Sequence, residues 1–506
     1  MELGGRGRRP RVGGRSGRVR GVLRSAALCV VLVAMVAACG SRLPTNVLTQ
    51  IDAQRTAGAG AGGAASGAAA GTGGAATSAT GGATDLGGTG SAPGGGTAGA
   101  AAGTGGAAGT TTGAGAAGTG GAASVAADCH GGATAPGVTA NEIKVGAIVT
   151  ASGPLPGATE GSFRGAQAYL AKVNAAGGVC GRKITLLKGD DGLDPQRARS
   201  EFLRLEPQVF AMVGGYGVAD SGYTDLVKST NIPYVGTLID PSGRGPNVFP
   251  RIESHVAYTA PFVYYRSAYP AVKNVSFLYA DVAGVRANTP AVREAIKRVG
   301  YNVVYDSGLS TVSPDFTSDV ISMRDKGTQM VYLFAFEVNM HVRLARNMRQ
   351  QNFEPPLKVA QIGYNSDLIH LLGPIADGWT SHIDYLPVLD DDEPAKSPAL
   401  ADFLSWNQRV APGAQIDLFP VSGWGAAALF VRALQTVGAN VTRDRLLVAL
   451  GGITSDDGGG IHAPGNPTTG ATQSCFIIVR VKGGKWVREH PAAGFDCGHG
   501  EAYHYG

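Results

Sequence analysis

Charged and aromatic side chains are both scarce, at 16% and 7% of 506 residues. That is too little for a chain that is globular throughout, so part of it must be non-globular. The scarcity is local: residues 57–127 are almost wholly Gly, Ala, Thr and Ser, broken only by Asp85, Leu86, Pro93 and Val125. Such a stretch buries no core. No G-x-S-x-G, G-x-x-x-x-G-K-[ST] or H-E-x-x-H pattern occurs, so nothing nominates an enzyme, and no cofactor is expected. No C-x-x-C is present and the cysteine spacings do not suit zinc; no metal is expected. The run Asp456-Asp457-Gly458-Gly459-Gly460 lacks the closing acid of a calcium loop and reads as a solvated turn, and His462, His490, His499 and His504 read as surface groups. A dense basic face is missing as well. The first 38 residues hold eight arginines against Glu2 alone, which exceeds the formal charge of +5 on the whole chain and leaves a slightly acidic body. A nucleic-acid partner would need cations there to replace phosphate counterions, so none is expected.

What is present begins with those arginines, followed by the apolar run Ala26–Ala38, too short to span a bilayer and built like a signal-peptide core. It closes with Val36-Ala37-Ala38-Cys39, which resembles the lipobox of bacterial lipoproteins. The resemblance implies cleavage before Cys39, acylation of that side chain, and a place on the extracytoplasmic face of the cell membrane. The Arg8-Arg9 pair is followed by Pro10-Arg11 without an apolar pair, which favours general secretion over a twin-arginine route. Residues 1–38 are therefore read as a leader, 39–56 as the segment behind the anchor, and 57–127 as a flexible tether. A coil of about 70 such residues spans roughly 45–50 Å. Of six cysteines, Cys29 falls in the leader and Cys39 at the anchor. The other four permit three disulfide connectivities, of which Cys129 with Cys180 and Cys475 with Cys497 is favoured because each pair closes a local loop.

From Glu142 the pattern alternates between strand and helix. Glu142–Thr150 is β-branched and bounded by Ser152-Gly153-Pro154, and Phe163, Ala166, Tyr169, Leu170 and Val173 mark a helix that stops at Gly177-Gly178. Ile184–Leu187 reads as strand, Asp194-Pro195 as a helix start, Val209–Val213 as strand, Ser221–Ser229 as helix and Ile232–Val235 as strand. A second series runs through strands at Val275–Tyr279, Asn302–Tyr305, Met330–Phe334 and Lys358–Ile362, with helices at Ala291–Val299, Phe316–Lys326 and Met340–Gln350. Helices at Pro398–Arg409 and Gly423–Val437 precede a terminal strand pair, Gln473–Val481 and Lys485–Arg488. The expectation is an α/β fold of two doubly wound parallel-sheet lobes. Lobe 1 takes 128–257 and 388–450; lobe 2 takes 258–387 and 451–506. Ligands of such sheets collect outside the carboxyl ends of the strands.

Three features together resemble the type I periplasmic binding proteins of the branched-chain amino acid and amide group. They are Ser152-Gly153-Pro154 after the first strand, Asn174-Ala175-Ala176-Gly177-Gly178 before the second, and Asp190-Asp191-Gly192-Leu193-Asp194-Pro195 after it. The resemblance implies two lobes joined by three crossovers, closing on a small ligand for an ABC importer, in a monomer. A ligand sensor with the same clamshell is the alternative. The resemblance also implies that loops after the third and fourth strands hold a ligand carboxylate and that an acid in the second lobe holds its amine. Here Gly215-Tyr216-Gly217 carries no serine, Ile239 stands near the threonine position with Thr237 beside it, and Asn339 matches the amine-binding acid, two residues from Glu337. These substitutions remove the paired charges that a desolvated zwitterion needs, which argues against a simple branched-chain amino acid. The candidate ligand contacts are Ser152, Leu155, Tyr216, Gly217, Thr237, Asp281, Phe336, Glu337 and Tyr364, with the aromatic members stacking on a planar or partly apolar molecule. Trp424 reads as core.

Overall fold

A computed structural model describes residues 135–252, 256–390, 393–469, 471–472 and 475–504. The leader, Cys39, the tether and Cys129 lie outside the described residues.

Lobe 1 is built on five parallel strands in the order β2-β1-β3-β4-β5: β1 (Glu142–Val149), β2 (Lys183–Asp190), β3 (Ala211–Gly217), β4 (Tyr234–Leu238) and β5 (Val248–Phe249). Their connections include α1 (Glu160–Ala175), α2 (Pro195–Leu205) and α3 (Thr224–Thr230). The α2 start follows the local code, since Asp194 accepts a hydrogen bond from the Arg197 N–H at 2.8 Å and Pro195 occupies the first turn. β3 begins and ends later than the hydropathy of Val209–Val213 predicts. Gly214 has φ of +76°, and the register to both neighbouring strands slips across it, so the chain bulges and resumes pairing at Tyr216. That bulge aims Tyr216 at the end of the sheet, where the site lies.

After β5 the chain crosses over through β6 (Val256–Tyr258) into lobe 2, beginning with α4 (Ala260–Ala268). Five parallel strands follow: β7 (Asn274–Ala280), β8 (Asn302–Leu309), β9 (Met330–Phe334), β10 (Leu357–Ala360) and β11 (Trp379–Ile383). Between them run α5 (Ala283–Arg298), α6 (Thr317–Asp325), α7 (Val338–Gln350) and α8 (Ser366–Leu372). The chain then recrosses to α9 (Glu393–Lys396), α10 (Pro398–Val410), α11 (Leu418–Val437) and α12 (Arg443–Gly451). Past the short pair β12 (Gly465–Asn466) and β13 (Ala471–Thr472), β14 (Ile477–Lys482) and β15 (Lys485–His490) extend the lobe 2 sheet antiparallel from β11; β16 (Ala502–His504) pairs with β6. The lobe 2 sheet is thus mixed, not purely parallel, because its last strands arrive as a hairpin.

Helix α5 starts two turns earlier than the sequence pattern places it, and Pro290 sits inside it. The proline removes the N–H that would bond the Arg286 carbonyl. The Thr289 hydroxyl supplies the substitute, donating to that carbonyl at 2.9 Å. Helix α11 belongs to lobe 1 by its packing: its Ser422–Trp424 segment crosses α1 so closely that a Cβ on Gly423 would lie 1.7 Å from the Ser162 carbonyl oxygen. Trp424 is buried core, edge-on to Tyr169 at 4.9 Å.

The three crossovers meet in one polar knot. Buried Arg251 of the first pairs with Asp384 of the second at 2.6 Å and donates to Ser422 of α11 at 3.0 Å. Ala463 of the third donates its N–H to the Asp384 carbonyl at 2.7 Å, and Tyr385 forms a bridge with His462. His462 is therefore no surface histidine. Burial and the nearby Arg251 hold its imidazole down at about 4. Asp456, 3.7 Å from it, is no solvated turn residue either, since desolvation pushes its carboxyl up to about 6. Cys475 and Cys497 are joined in a disulfide; Cys180 is also disulfide-bonded, and Cys129, its expected partner, lies outside the described residues.

Candidate functional site

At the carboxyl ends of both sheets the lobes enclose a cavity of about 360 Å³, within the range of small-molecule sites. Lobe 1 contributes the loop after β1, with Leu155 and Pro156, the end of β3 with Tyr216, the end of β4 with Thr237 and Leu238, and Phe419 at the start of α11. Lobe 2 contributes the loop after β9, from Phe336 to Met340, one side of α5, and His382 of β11. Lobe meets lobe at the rim, where the Asn288 amide of α5 donates to the Ile239 carbonyl at 3.0 Å. Gly284 lies close beside the same loops: a Cβ there would sit 3.1 Å from both Val218 O and the Ile239 side chain.

The cavity gathers five of the nine sequence-predicted contacts: Leu155, Tyr216, Thr237, Phe336 and Glu337. Tyr216 is half-buried with its ring edge-on to Phe419 at 5.0 Å, and burial pushes its phenol up to about 12, so it is a neutral donor at any ordinary pH. Among the described residues neither its hydroxyl nor that of buried Thr237 has a hydrogen-bond partner. Glu337 is present but engaged. Its carboxylate caps α7, accepting from the N–H groups of Asn339 at 2.7 Å and Met340 at 2.6 Å. Both oxygens thus serve the helix start, and neither is reserved for a ligand ammonium.

The other four fall elsewhere. Tyr364 is a core residue, 1% exposed, packed edge-on against Trp486 at 5.2 Å, with its hydroxyl accepting the Leu389 N–H. Asp281 lies on the surface in an ion pair with Arg286. The Ser152 hydroxyl donates to Asp190 at 2.6 Å and accepts from Arg197 at 3.0 Å, inside a loop network of lobe 1. Gly217 is off the lining because Asp220 and Tyr223 crowd its outer side, 2.6 Å from where a Cβ would stand.

Two charged residues on the wall escaped the sequence reading. Arg164, in the first turns of α1, makes no hydrogen bond among the described residues; its Nε is buried without a partner, and its nearest acid is Glu160 at 3.6 Å. Asp417 caps α11 through the Phe419 N–H at 2.9 Å, and desolvation pushes its carboxyl up to about 6 against the opposing pull of that N–H and of Arg164. The cap at Asp417 was legible as an acid ahead of an apolar helix. Arg164 carried no local signal, since an arginine on the polar side of a helix usually faces water.

The family model for periplasmic binding proteins matches residues 142–485. The Leu/Ile/Val/Thr-binding protein of Salmonella typhimurium is 23% identical over 251 residues, which cover 47% of this chain and 67% of that protein. Two solved structures share the fold. One is the fatty acid ABC transporter substrate-binding protein from Thermomonospora curvata (TM-score 0.59, 20% identity, 74% of this chain and 95% of that one). The other is an ABC transporter solute-binding protein from R. palustris in complex with benzoate (TM-score 0.58, 20% identity, 71% and 99%). No helix among the described residues is long and apolar enough to cross a membrane.

Proposed function

The chain belongs to the periplasmic binding protein family, and from that premise we propose that it is an extracytoplasmic solute-binding lipoprotein, anchored through Cys39, which closes its lobes over a small, largely apolar ligand and hands it to an ABC importer. The observation that carries this reading is the inter-lobe cavity, whose walls come from both lobes and from the first crossover at Ile252, Val256 and Tyr258. A site divided in that way is complete only when the lobes close, so ligand binding biases the hinge. The apolar ligand class rests on the lining. Aromatic and aliphatic groups dominate it, and the acid nearest the amine-binding position is engaged as a helix cap. The names of the similar proteins, a binder of leucine-type amino acids, a fatty-acid binder and a benzoate complex, point to apolar groups as the common element.

Thermal denaturation against a panel of amino acids, amides, aromatic acids, fatty acids, sugars and nucleosides tests the reading. A true ligand at 100 times its dissociation constant adds about 2.7 kcal/mol to stability. Silence across the panel would remove the solute-binding reading in this form. With a ligand in hand, Tyr216→Ala is expected to weaken binding at least tenfold (about 1.4 kcal/mol). The unliganded melting temperature is expected to stay nearly unchanged, because the ring is half-buried and its ring contact is to Phe419 alone among the described residues. A large fall in unliganded stability with unchanged affinity would make Tyr216 structural instead.

A further inference from the structure

Beneath the crevice the cavity continues into lobe 2. Val285, Asn288, Val292 and Ala295 of α5 all line it, at spacings of three, four and three residues that place them on one side of the helix. With a rise of 1.5 Å per residue, that side runs for about 15 Å. The opposite walls are Phe262 of α4 and Tyr332 and Phe334 of β9. Ala295, Phe262 and Tyr332 are each 3% exposed or less, so this part of the cavity is an interior slot, not a surface groove.

The polar atoms along the slot are already engaged. The Asn288 amide donates to the carbonyls of Ile239 and Gly284, and the Tyr332 hydroxyl pairs with His382 Nε2 at 3.1 Å. What remains is hydrocarbon, and an apolar cavity of this kind stays dry and accepts apolar guests. The donors without a hydrogen bond stand at the other end of the cavity, on lobe 1. Arg164 has a guanidinium that donates no hydrogen bond among the described residues, and its nearest acid, Glu160, is shared with Lys188. A planar five-donor cation facing a cavity matches a carboxylate better than any neutral head group.

We propose that the slot along α5 is a subsite for the hydrocarbon tail of an amphiphilic carboxylate whose head is held by Arg164, so that the ligand lies across the closure with its charge on lobe 1 and its chain in lobe 2. This inference rests on the solute-binding reading above and narrows it to one ligand class. It also accounts for why Glu337 is engaged as a cap: a ligand without an ammonium group needs no acid there.

The test is calorimetric titration of the full chain with butyrate, octanoate and dodecanoate, with leucine and benzoate as compact ligands and dodecanol as the uncharged counterpart. Affinity is expected to rise by about fourfold per methylene along the acids, until the slot is full. Ala295→Phe, which fills the slot, is expected to bring dodecanoate down to the affinity of butyrate. Arg164→Gln is expected to weaken every acid more than tenfold and dodecanol hardly at all. The length series on the unmodified chain decides the matter even if Ala295→Phe fails to fold. Equal affinity for all three acids overturns the slot, and an Arg164→Gln chain that binds acids as before overturns the head-group assignment. Binding of leucine or benzoate without any gain from chain length would sink this inference and leave the solute-binding reading standing. If nothing in the series binds, this inference falls, and the wider panel above decides the solute-binding reading.

Discussion

Gly423→Val is expected to destabilise the protein by at least about 3 kcal/mol, the upper end of overpacking costs. Where α11 crosses α1, a Cβ on Gly423 would stand 1.7 Å from Ser162 O and 2.8 Å from the Ala166 N–H nitrogen, and both of those atoms are backbone. Neither helix can yield by a side-chain rotation, so one must move. The same crossing holds Gly165, where a Cβ would meet the Pro420 carbonyl oxygen at 1.9 Å, which leaves no slack from the other side. Because α1 also carries Arg164 and α11 opens with Asp417 and Phe419, the shift would spread the lobe 1 wall of the cavity. Chemical denaturation should show the loss, with Gly451→Ala as the control. Gly451 ends α12 with open space around it, and its change to alanine should be neutral within about 0.5 kcal/mol. Equal stability of Gly423→Val and the parent would mean that the two helices do not approach as closely as described.

Removing the Cys475–Cys497 bridge, by paired substitution to serine, is expected to cost about 3 kcal/mol. The two cysteines are 22 residues apart, and closing a loop of that size removes unfolded-state entropy of that order. The consequence reaches the hinge. The residues beyond Cys497 return to the first crossover, where β16 pairs with β6, Thr259 donates its N–H to the Glu501 carbonyl at 2.9 Å, and the Thr259 hydroxyl accepts the Glu501 N–H at 2.6 Å. Val256 and Tyr258 of that crossover line the cavity. Loss of the bridge should therefore lower the urea midpoint and also weaken ligand binding, by releasing a strand that supports the cavity wall. A double variant with unchanged midpoint would show that strand pairing alone holds the tail.

Much of this architecture was readable from local patterns. The Met330–Phe334 strand occurs where hydropathy places it, and the Asp194-Pro195 helix start occurs where capping chemistry places it. Both are set by residues within one or two turns of each other. Boundaries failed where another group offset the local rule. α5 begins two turns early because Thr289 satisfies the carbonyl that Pro290 abandons. β3 runs on through two glycines because neighbouring strands on both sides resume pairing after the bulge.

The site divides along the same line. Tyr216 and Thr237 could be nominated from sequence because the end of a parallel strand points at the crevice whatever else the fold does. Tyr364 follows a strand by the same rule yet lies off the cavity, since Trp486 from the terminal hairpin and the Leu389 N–H from the second crossover close over its ring and hydroxyl. Glu337 lies on the cavity wall, where the first turn of α7 engages its carboxylate. Arg164 and the α5 slot were invisible, since a helix face declares only that it is apolar or polar and never which space it lines. The α/β alternation, the strand-end loops and the four body cysteines were legible in the chain alone, because periodicity, caps and punctuation act over a few residues. Which aromatics are core and which arginine faces the cavity emerged with the folded chain, because those outcomes depend on groups brought together from distant parts of the sequence.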